Sequence, residues 1–289
     1  MTRLPLVEEI AAVAGLCRDI GLGTVQPVLR NAAHHTLLQL SPLELVARVQ
    51  SAGSTDVAWS RALREIQVAS HLSRCGAPVL TPLVEKAGPY VFAGCVVTFW
   101  PFVPDARPGK EADAGLAAET LAIVHDALRD YAGALPSYTR SLDHCWSLLV
   151  DDGKTPELAR GDRDLLRREF LRLRDVIAVS SGPAVPLHGD AHMGNLLIGP
   201  HGPLWIDFED ACLGPREYDI ACLPPAAPPL FSEIDTTLVG SFADMRSICV
   251  AVWCWADMAR SPEAREAAWY HLGRVRQRAR QDICRTTSG

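Results

Sequence analysis

Two short apolar runs, joined by a glycine-containing turn, constrain the fold of this chain more than any other feature. The runs are NLLIG at 195–199 and PLWIDFE at 203–209. Two such runs on either side of a tight turn predict a β-hairpin. The polar stretch HGDAHMGN at 188–195 leads into it, and Gly189 and Gly194 make this stretch a loop rather than a helix.

Three oxygen-bearing side chains surround the predicted hairpin. Asp190 precedes Asn195 by five residues, and Asp207 follows Asn195 by twelve. Because a hairpin brings its outer ends together, Asn195 and Asp207 are expected to face one point, with Asp190 on the loop beside them. Oxygen ligands suit Mg²⁺, which usually retains waters and substrate phosphates. The spacing is typical of the catalytic loop and metal-binding aspartate of phosphoryl-transfer kinases.

A zinc-dependent hydrolase using His188, His192 and Asp207 is an alternative interpretation. Two histidines four residues apart meet one metal when they lie on a helix, but the glycines of this segment favour a loop. No third strong nitrogen or sulfur ligand is evident. The alternative is therefore the weaker of the two.

The remaining pattern predicts an α+β chain with two lobes. The runs at 24–30, 35–41 and 44–50 predict an antiparallel meander, residues 57–76 a helix that stops at Gly76, and 90–103 two more strands. Helical patterns follow at 112–133, 160–178, about 240–258, and from 262 onward. We expect a small sheet-rich N-terminal lobe at 1–99 and a larger, mainly helical C-terminal lobe at 100–289.

The composition limits the classes of binding partner that are expected. The chain is 48% hydrophobic and 21% charged, as ordinary globular proteins are. Its net charge of -6 gives no overall attraction for nucleic acid or an anionic membrane, so neither is expected as a partner. The arginines spaced along 274–280 are expected to form a solvated helix face. Nine cysteines without a CxxC pair indicate reduced thiols and a cytoplasmic location, and the oligomeric state is not indicated.

The segments HGDAHMGNLL and LWIDFEDACLGPREYDIA, within residues 187–222, closely resemble the aminoglycoside phosphotransferase and choline kinase-like family. LVARV, REIQVASHL, VVTFWPFV and LAIVHDAL extend a weaker similarity over most of the chain. The resemblance implies a bilobal protein-kinase-like fold. It also implies transfer of a phosphoryl group from ATP or GTP, with Mg²⁺, to a small molecule that bears a hydroxyl group.

The same resemblance implies roles for individual residues in the central motif. Asp190 becomes the catalytic aspartate that accepts or orients the proton of the substrate hydroxyl. Asn195 and Asp207 become the Mg²⁺ ligands. His188 and Asp219 become the groups that hold the catalytic loop.

In the N-terminal lobe the resemblance assigns the nucleotide-binding residues. Arg48 stands where kinases carry the phosphate-binding lysine, and Glu65 stands where its helix partner lies. The hinge around Phe99, Trp100 and Phe102 is expected to meet the adenine through backbone groups. An arginine suits the phosphate role because it is always charged and binds phosphate with two parallel hydrogen bonds.

One segment departs from the family pattern. The expected phosphate-covering loop at 29–36 contains no glycine, which makes close backbone approach to phosphates harder. This departure permits a nucleotide-binding pseudokinase that acts through partners, whereas the complete set of Asp190, Asn195 and Asp207 favours an active enzyme. His34 and His35 are expected to be exposed.

The acceptor itself is not identified by the sequence. An antibiotic such as an aminoglycoside, an amino alcohol and a sugar are all compatible with the family resemblance. Glu209, Asp210 and Asp257 are acidic candidates for receiving a polycationic aminoglycoside. The acceptor pocket is expected to involve residues 135–165 and 225–270.

Overall fold

The structure is a computed structural model. It describes residues 4–32, 35–51, 53–83, 85–104, 106–108, 114–257 and 262–287. The chain forms two compact units: the first comprises Met1–Leu135 and Pro186–Ala211, and the second comprises Pro136–Val185 and Cys212–Gly289. The division predicted at residue 99 stays a prediction.

The first unit contains a five-stranded antiparallel sheet in the order β1-β2-β3-β5-β4. Its strands are β1 (Gln26–Ala32), β2 (Thr36–Ser41), β3 (Leu45–Gln50), β4 (Tyr90–Phe92) and β5 (Cys95–Pro101). Alternate residues are buried on one face, as expected for a strand whose side chains point in turn to opposite faces; Leu38, Leu40, Ala47 and Val49 are examples. The strands predicted from the sequence are therefore confirmed.

Helix α1 (Leu6–Asp19) packs its apolar side against this sheet and was not predicted. Its Glu9 is only 1% exposed. The Thr36 hydroxyl donates a hydrogen bond to Glu9 Oε2, and the Ser51 hydroxyl donates one to Glu9 Oε1 at 2.5 Å. A buried carboxylate thus connects the helix to the start of β2 and to the residue that follows β3.

Replacing Glu9 with alanine should destabilise the first unit by about 1 to 3 kcal/mol, because both buried hydroxyls lose this acceptor. Chemical denaturation of the whole chain measures the change. Glu8→Ala is the matched control, since Glu8 lies exposed on the same helical turn. Equal losses for the two variants would contradict the proposed contribution of the buried contacts.

Helix α2 (Thr55–Arg74) follows β3 and ends where the sequence predicts. Gly76 has a φ of +74°, a left-handed conformation that glycine adopts without a steric penalty. The Gly76 and Ala77 N–H groups donate to the carbonyls of Ser73 and Leu72 and close the last turn. The helix carries Glu65 on its buried side.

The predicted hairpin is confirmed as β8 (Leu196–Gly199) and β9 (Gly202–Trp205), with Leu196 opposite Trp205. The short strand β6 (Arg107–Pro108) pairs with β8. Trp205 is fully buried, and its indole Nε1–H donates to Thr120 Oγ1 at 3.0 Å on helix α3 (Ala114–Leu128). This contact fixes the end of β9 that leads to the polar residues.

The second unit is mainly helical. Its elements are α4 (Thr139–Val150), α5 (Arg160–Ser180), β10 (Cys212–Gly214), α6 (Glu217–Ile220), α7 (Thr236–Ala256) and α8 (Pro262–Thr287), while β7 (Val185–Leu187) crosses the division between the units. Buried residues of α4, α5, α7 and α8 share one apolar core. Two of the predicted solvated arginines on α8 are paired: Arg276 with Asp162, and Arg278 with Asp244.

Helix α7 has the length and apolar composition of a membrane span, although half of that apolar stretch is buried within the protein. It contains Asp244 and Arg246, and its Phe242, Met245 and Ile248 belong to the apolar core of the second unit. The core helix of a globular unit has the same composition, and these contacts account for it here.

Candidate active site

The loop at 188–195 packs closely on the turn that follows β9. Gly189 has a φ of +88°, and a Cβ atom at this position would overlap the Asp210 carbonyl oxygen. Only glycine fits a left-handed conformation at such a close backbone approach. The glycine therefore allows the loop that carries Asp190 to lie against the turn that carries Asp207.

His188 links the same two segments from inside. It is fully buried, its ring centroid lies 4.4 Å from that of Phe208, and its Nε2 lies 3.0 Å from the Ile206 carbonyl oxygen, to which it donates. Its Nδ1 accepts the Asp190 N–H at 3.3 Å. Both ring nitrogens are therefore hydrogen-bonded within the protein. His188 is not available as a zinc ligand, and the zinc hydrolase alternative is wrong on this geometry.

Asn195 lies between the loop and the hairpin. Its Nδ2 donates to the Asp190 backbone oxygen at 2.9 Å and lies 3.5 Å from Asp190 Oδ2. The Asn195 backbone carbonyl oxygen accepts the Ile206 N–H at 2.9 Å, which brings Asn195 opposite the residue before Asp207. Asn195 and Asp190 are thus in contact, and the backbone hydrogen bond to Ile206 brings the residue before Asp207 to the same end of the hairpin. The convergence of all three side chains on one point stays a prediction.

Asp207 adopts a left-handed conformation, with φ 69° and ψ 56°, ahead of a short 3₁₀ turn at Phe208–Asp210. Such a conformation is uncommon for a residue with a Cβ and is concentrated at functional sites. Partial burial raises the pKa of Asp210 to about 6; Arg61 opposes that rise, and Glu209, Asp190 and Asp207 add to it. Both aspartates therefore act on one point of the turn.

Arg48 contacts three carboxylates. Its Nη1 lies 2.5 Å from Glu65 Oε1, and its Nη2 lies 2.9 Å from both Asp207 Oδ1 and Glu209 Oε2. The predicted pairing of Arg48 with Glu65 is confirmed. The three carboxylates also have oxygen atoms within 4.8 Å of one another, so Arg48 supplies positive charge at their centre.

Glu209 is a site residue whose position the sequence did not predict. It is buried, and its Oε1 lies 2.7 Å from Arg61 Nη2 in addition to the contact of its Oε2 with Arg48. His35 Nε2 lies 3.1 Å from the same Oε2, and Arg64 donates to the Glu209 backbone oxygen. Glu209 is therefore engaged by internal partners, and its suggested role in receiving a cationic acceptor stays a prediction.

The charged groups in this cluster shift one another's pKa values. Burial alone would lower the pKa of Arg48, but Asp207, Glu65 and Glu209 outweigh it and raise that pKa, so Arg48 stays charged. Burial raises the pKa of Glu65, and the Arg48 charge opposes that rise. Burial would likewise raise the pKa of Glu209, but Arg48, His35 and Arg61 hold it below its usual value.

The hairpin of β1 and β2 contributes to the cluster through His35. The glycine-free segment at 29–36 is largely strand, because β1 runs to Ala32 and β2 begins at Thr36; residue 33 and His34 lie outside the described residues. His35 was expected to be exposed, and this is wrong: its side chain is 12% exposed. Burial and the Arg48 charge lower its pKa, so the neutral ring faces Glu209.

The hinge residues lie at the end of β5. Phe99 is fully buried in the sheet core, and its N–H donates to the Ala87 carbonyl at 2.9 Å. The Phe102 N–H donates to the Glu44 carbonyl at 2.9 Å, and Trp100 pairs with Val46 across the sheet. The Phe99 and Phe102 N–H groups are therefore hydrogen-bonded within the protein. Adenine binding by this segment stays a prediction.

Asp219 is fully buried on α6 in the second unit. The predicted role of Asp219 in holding the catalytic loop stays a prediction.

The fold and the candidate site together indicate a class of enzyme. A sheet-rich N-terminal part with an Arg–Glu pair between β3 and α2, followed by a loop and hairpin that carry Asp, Asn and Asp, is the arrangement of kinase-like phosphotransferases. The model of the phosphotransferase enzyme family matches residues 34–278. The chain belongs to this family and is a small-molecule kinase. The pseudokinase alternative is accordingly not retained.

Solved structures with the same fold share little sequence with this chain. The GDP and kanamycin complex of APH(2")-IIia is 19% identical, with a TM-score of 0.67, and the match covers 94% of this chain and 99% of that one. Choline kinase LicA from Streptococcus pneumoniae is 12% identical, with a TM-score of 0.63 and coverage of 92% and 99%. A microcompartment-associated aminopropanol kinase is 18% identical, with a TM-score of 0.64 and coverage of 87% and 90%. No curated protein sequence matches the chain.

Proposed function

We propose that this enzyme transfers the γ-phosphate of ATP or GTP to a hydroxyl group of a small molecule. The observation that carries the proposal is the contact of Asn195 with Asp190 at the end of the hairpin that leads to Asp207, together with the close approach of Gly189 to Asp210. Phosphoryl transfer needs positioning and charge stabilisation more than covalent chemistry. A rigid set of oxygen ligands beside a carboxylate base meets that need.

Asp190 is proposed as the group that accepts or orients the proton of the acceptor hydroxyl. Its side chain is 31% exposed, so an acceptor can reach it from solvent. The Asp190 backbone is held at both sides, by its N–H to His188 and by its carbonyl to Asn195. The backbone position from which the Asp190 carboxylate reaches a hydroxyl group is therefore fixed.

Asn195 and Asp207 are proposed to hold Mg²⁺, and their donor chemistry fits this ion. The Asn195 Nδ2 is directed to Asp190, which leaves its amide oxygen as the ligand atom, and Asp207 is a carboxylate. A bound Mg²⁺ supplies positive charge to the phosphate oxygens of the nucleotide. The residues themselves fix where that charge is held relative to Asp190.

Arg48 is proposed to bind the phosphates, with Glu65 directing its guanidinium group. Arg48 has two nitrogens engaged by three carboxylates, so it neutralises part of a cluster that would otherwise repel a nucleotide.

Phe99, Trp100 and Phe102 are proposed to lie near the adenine, within a nucleotide-binding part at 1–99. His188 and Asp219 are proposed to support the catalytic loop.

The acceptor is proposed to be an aminoglycoside or other antibiotic, an amino alcohol or a sugar, contacted by residues from 135–165 and 225–270. Kanamycin, choline and aminopropanol are the compounds for which similar structures are named, so they are the first to test. We also propose a cytoplasmic enzyme without a nucleic-acid or membrane partner, consistent with a net charge of -6.

The test is a screen for acceptor-dependent release of ADP or GDP. Purified protein is incubated with Mg²⁺, ATP or GTP, and single compounds drawn from hydroxylated antibiotics, amino alcohols and sugars. We expect at least one compound to raise nucleoside diphosphate release well above the rate without acceptor, and mass spectrometry should find that compound heavier by one phosphoryl group. Asp190→Ala protein provides the background.

Two outcomes would overturn the proposal. One is that the protein binds neither ATP nor GTP when Mg²⁺ is present. The other is that the released phosphate appears only as inorganic phosphate for every compound, since a kinase of this kind must form a phosphorylated acceptor.

A further inference from the structure

We propose that His192 is a positioning residue that sets the direction of the Asp190 carboxylate. This inference rests on the proposed function, in which Asp190 meets the acceptor hydroxyl. His192 lies on the catalytic loop between the proposed base and the proposed metal ligand Asn195. Its Nε2 lies 3.4 Å from Asp190 Oδ2.

The other ring nitrogen fixes which nitrogen carries the proton. His192 Nδ1 accepts the Gly194 N–H at 2.9 Å, where His192 caps the 3₁₀ turn Met193–Asn195. A nitrogen that accepts a hydrogen bond carries no proton, so in the neutral ring the proton is on Nε2. The cap therefore leaves a donor facing Asp190.

Two donor groups then lie near the same oxygen of Asp190. The Asn195 Nδ2 lies 3.5 Å from Oδ2, close to the 3.4 Å distance of His192 Nε2. Donors near one oxygen favour one orientation of the carboxylate and thus one direction of its second oxygen. Because positioning of reacting groups contributes strongly to catalysis, loss of one donor should slow transfer without weakening nucleotide binding.

Gly194 leaves the space that the His192 ring occupies. A Cβ atom at residue 194 would overlap the His192 ring. Gly194 therefore lets the ring fold over the turn and reach back toward Asp190. The HxGN portion of the motif acts as one unit, with the glycine making room, the histidine directing the carboxylate and the asparagine closing the loop.

Two conservative substitutions separate the contacts of the ring. His192→Asn retains a side-chain oxygen at about the place of Nδ1 and still caps the turn, but it is too short to reach Asp190. His192→Gln places an amide nitrogen at about the place of Nε2 and retains the donor to Asp190. We expect His192→Asn to lower kcat about 10-fold with an unchanged KM for nucleotide, and His192→Gln to keep most of kcat.

The matched control is His201→Asn, which places the same substitution on the exposed turn between β8 and β9. It should leave kcat unchanged. If the only role of His192 were to cap the turn, the order would reverse, with His192→Asn active and His192→Gln impaired. That reversal, or wild-type kcat in His192→Asn, would overturn the inference.

A second measurement needs no acceptor and separates this inference from the proposed function. Nitrogen-15 NMR of the wild-type ring should find His192 in the Nε2–H tautomer, and Asp190→Ala should shift the Nε2 resonance. A proton on Nδ1, or no response to Asp190→Ala, would refute the contact. If the NMR result is as expected while no compound is phosphorylated, the positioning contact stands and the proposed activity fails.

Discussion

Replacing Asp190 with alanine is expected to lower kcat for phosphoryl transfer by about 10²- to 10⁴-fold, the range typical for loss of a general base. In the proposed mechanism this carboxylate takes the proton of the acceptor hydroxyl. Asn195 and Asp207 remain in the variant, so the affinity for the nucleotide with Mg²⁺ should change by less than about 3-fold. Steady-state kinetics with the best acceptor, together with calorimetric titration of the nucleotide, measures both quantities.

The control for this variant is Asp126→Ala. Asp126 is exposed on α3 and pairs with Arg129 in a solvent-exposed i,i+3 contact, which contributes little to stability. It should retain wild-type kcat. If Asp190→Ala also retains kcat within about 3-fold, Asp190 is not the base and the mechanism is wrong.

The strands and the hairpin could be predicted from the sequence because their information is local. Alternating apolar residues in β2 and β3 have a period that matches one buried face of a sheet, and a glycine-containing turn fixes the register of β8 and β9. Once that register is set, the distance in sequence from Asn195 to Asp207 becomes proximity in space. The core of the proposed site therefore follows from spacing alone.

Other features could not be predicted, for different physical reasons. Helix α1 has an apolar face near the N-terminus, but the sheet against which it packs is formed later in the chain, so no local pattern indicates its partner. The burial of Glu209 depends on partners such as Arg48 and Arg61, 161 and 148 residues away. In a chain with 34 acidic residues, no local pattern distinguishes this carboxylate from those that face water.

The second large effect is expected at Glu209. Replacing Glu209 with alanine should destabilise the protein by about 3 to 5 kcal/mol, because Arg48 and Arg61 each lose a buried carboxylate that compensates part of their charge. Its side chain is 10% exposed, as is that of Arg48, so water cannot replace the lost carboxylate. The three cationic or polar groups that face it, Arg48, Arg61 and His35, all lose an acceptor. Chemical denaturation at neutral pH measures the change in unfolding free energy.

Asp210→Ala is the matched control for Glu209→Ala, because Asp210 also pairs with Arg61 but its side chain is 38% exposed. A partly exposed pair is screened by water and contributes up to about 1 kcal/mol. Glu209→Gln should lie between the two variants, since the amide keeps the volume and one acceptor oxygen but not the charge. The order Glu209→Ala, then Glu209→Gln, then Asp210→Ala in decreasing loss is the expected result. If Asp210→Ala were as destabilising as Glu209→Ala, burial would not be the reason that this charge cluster is stable.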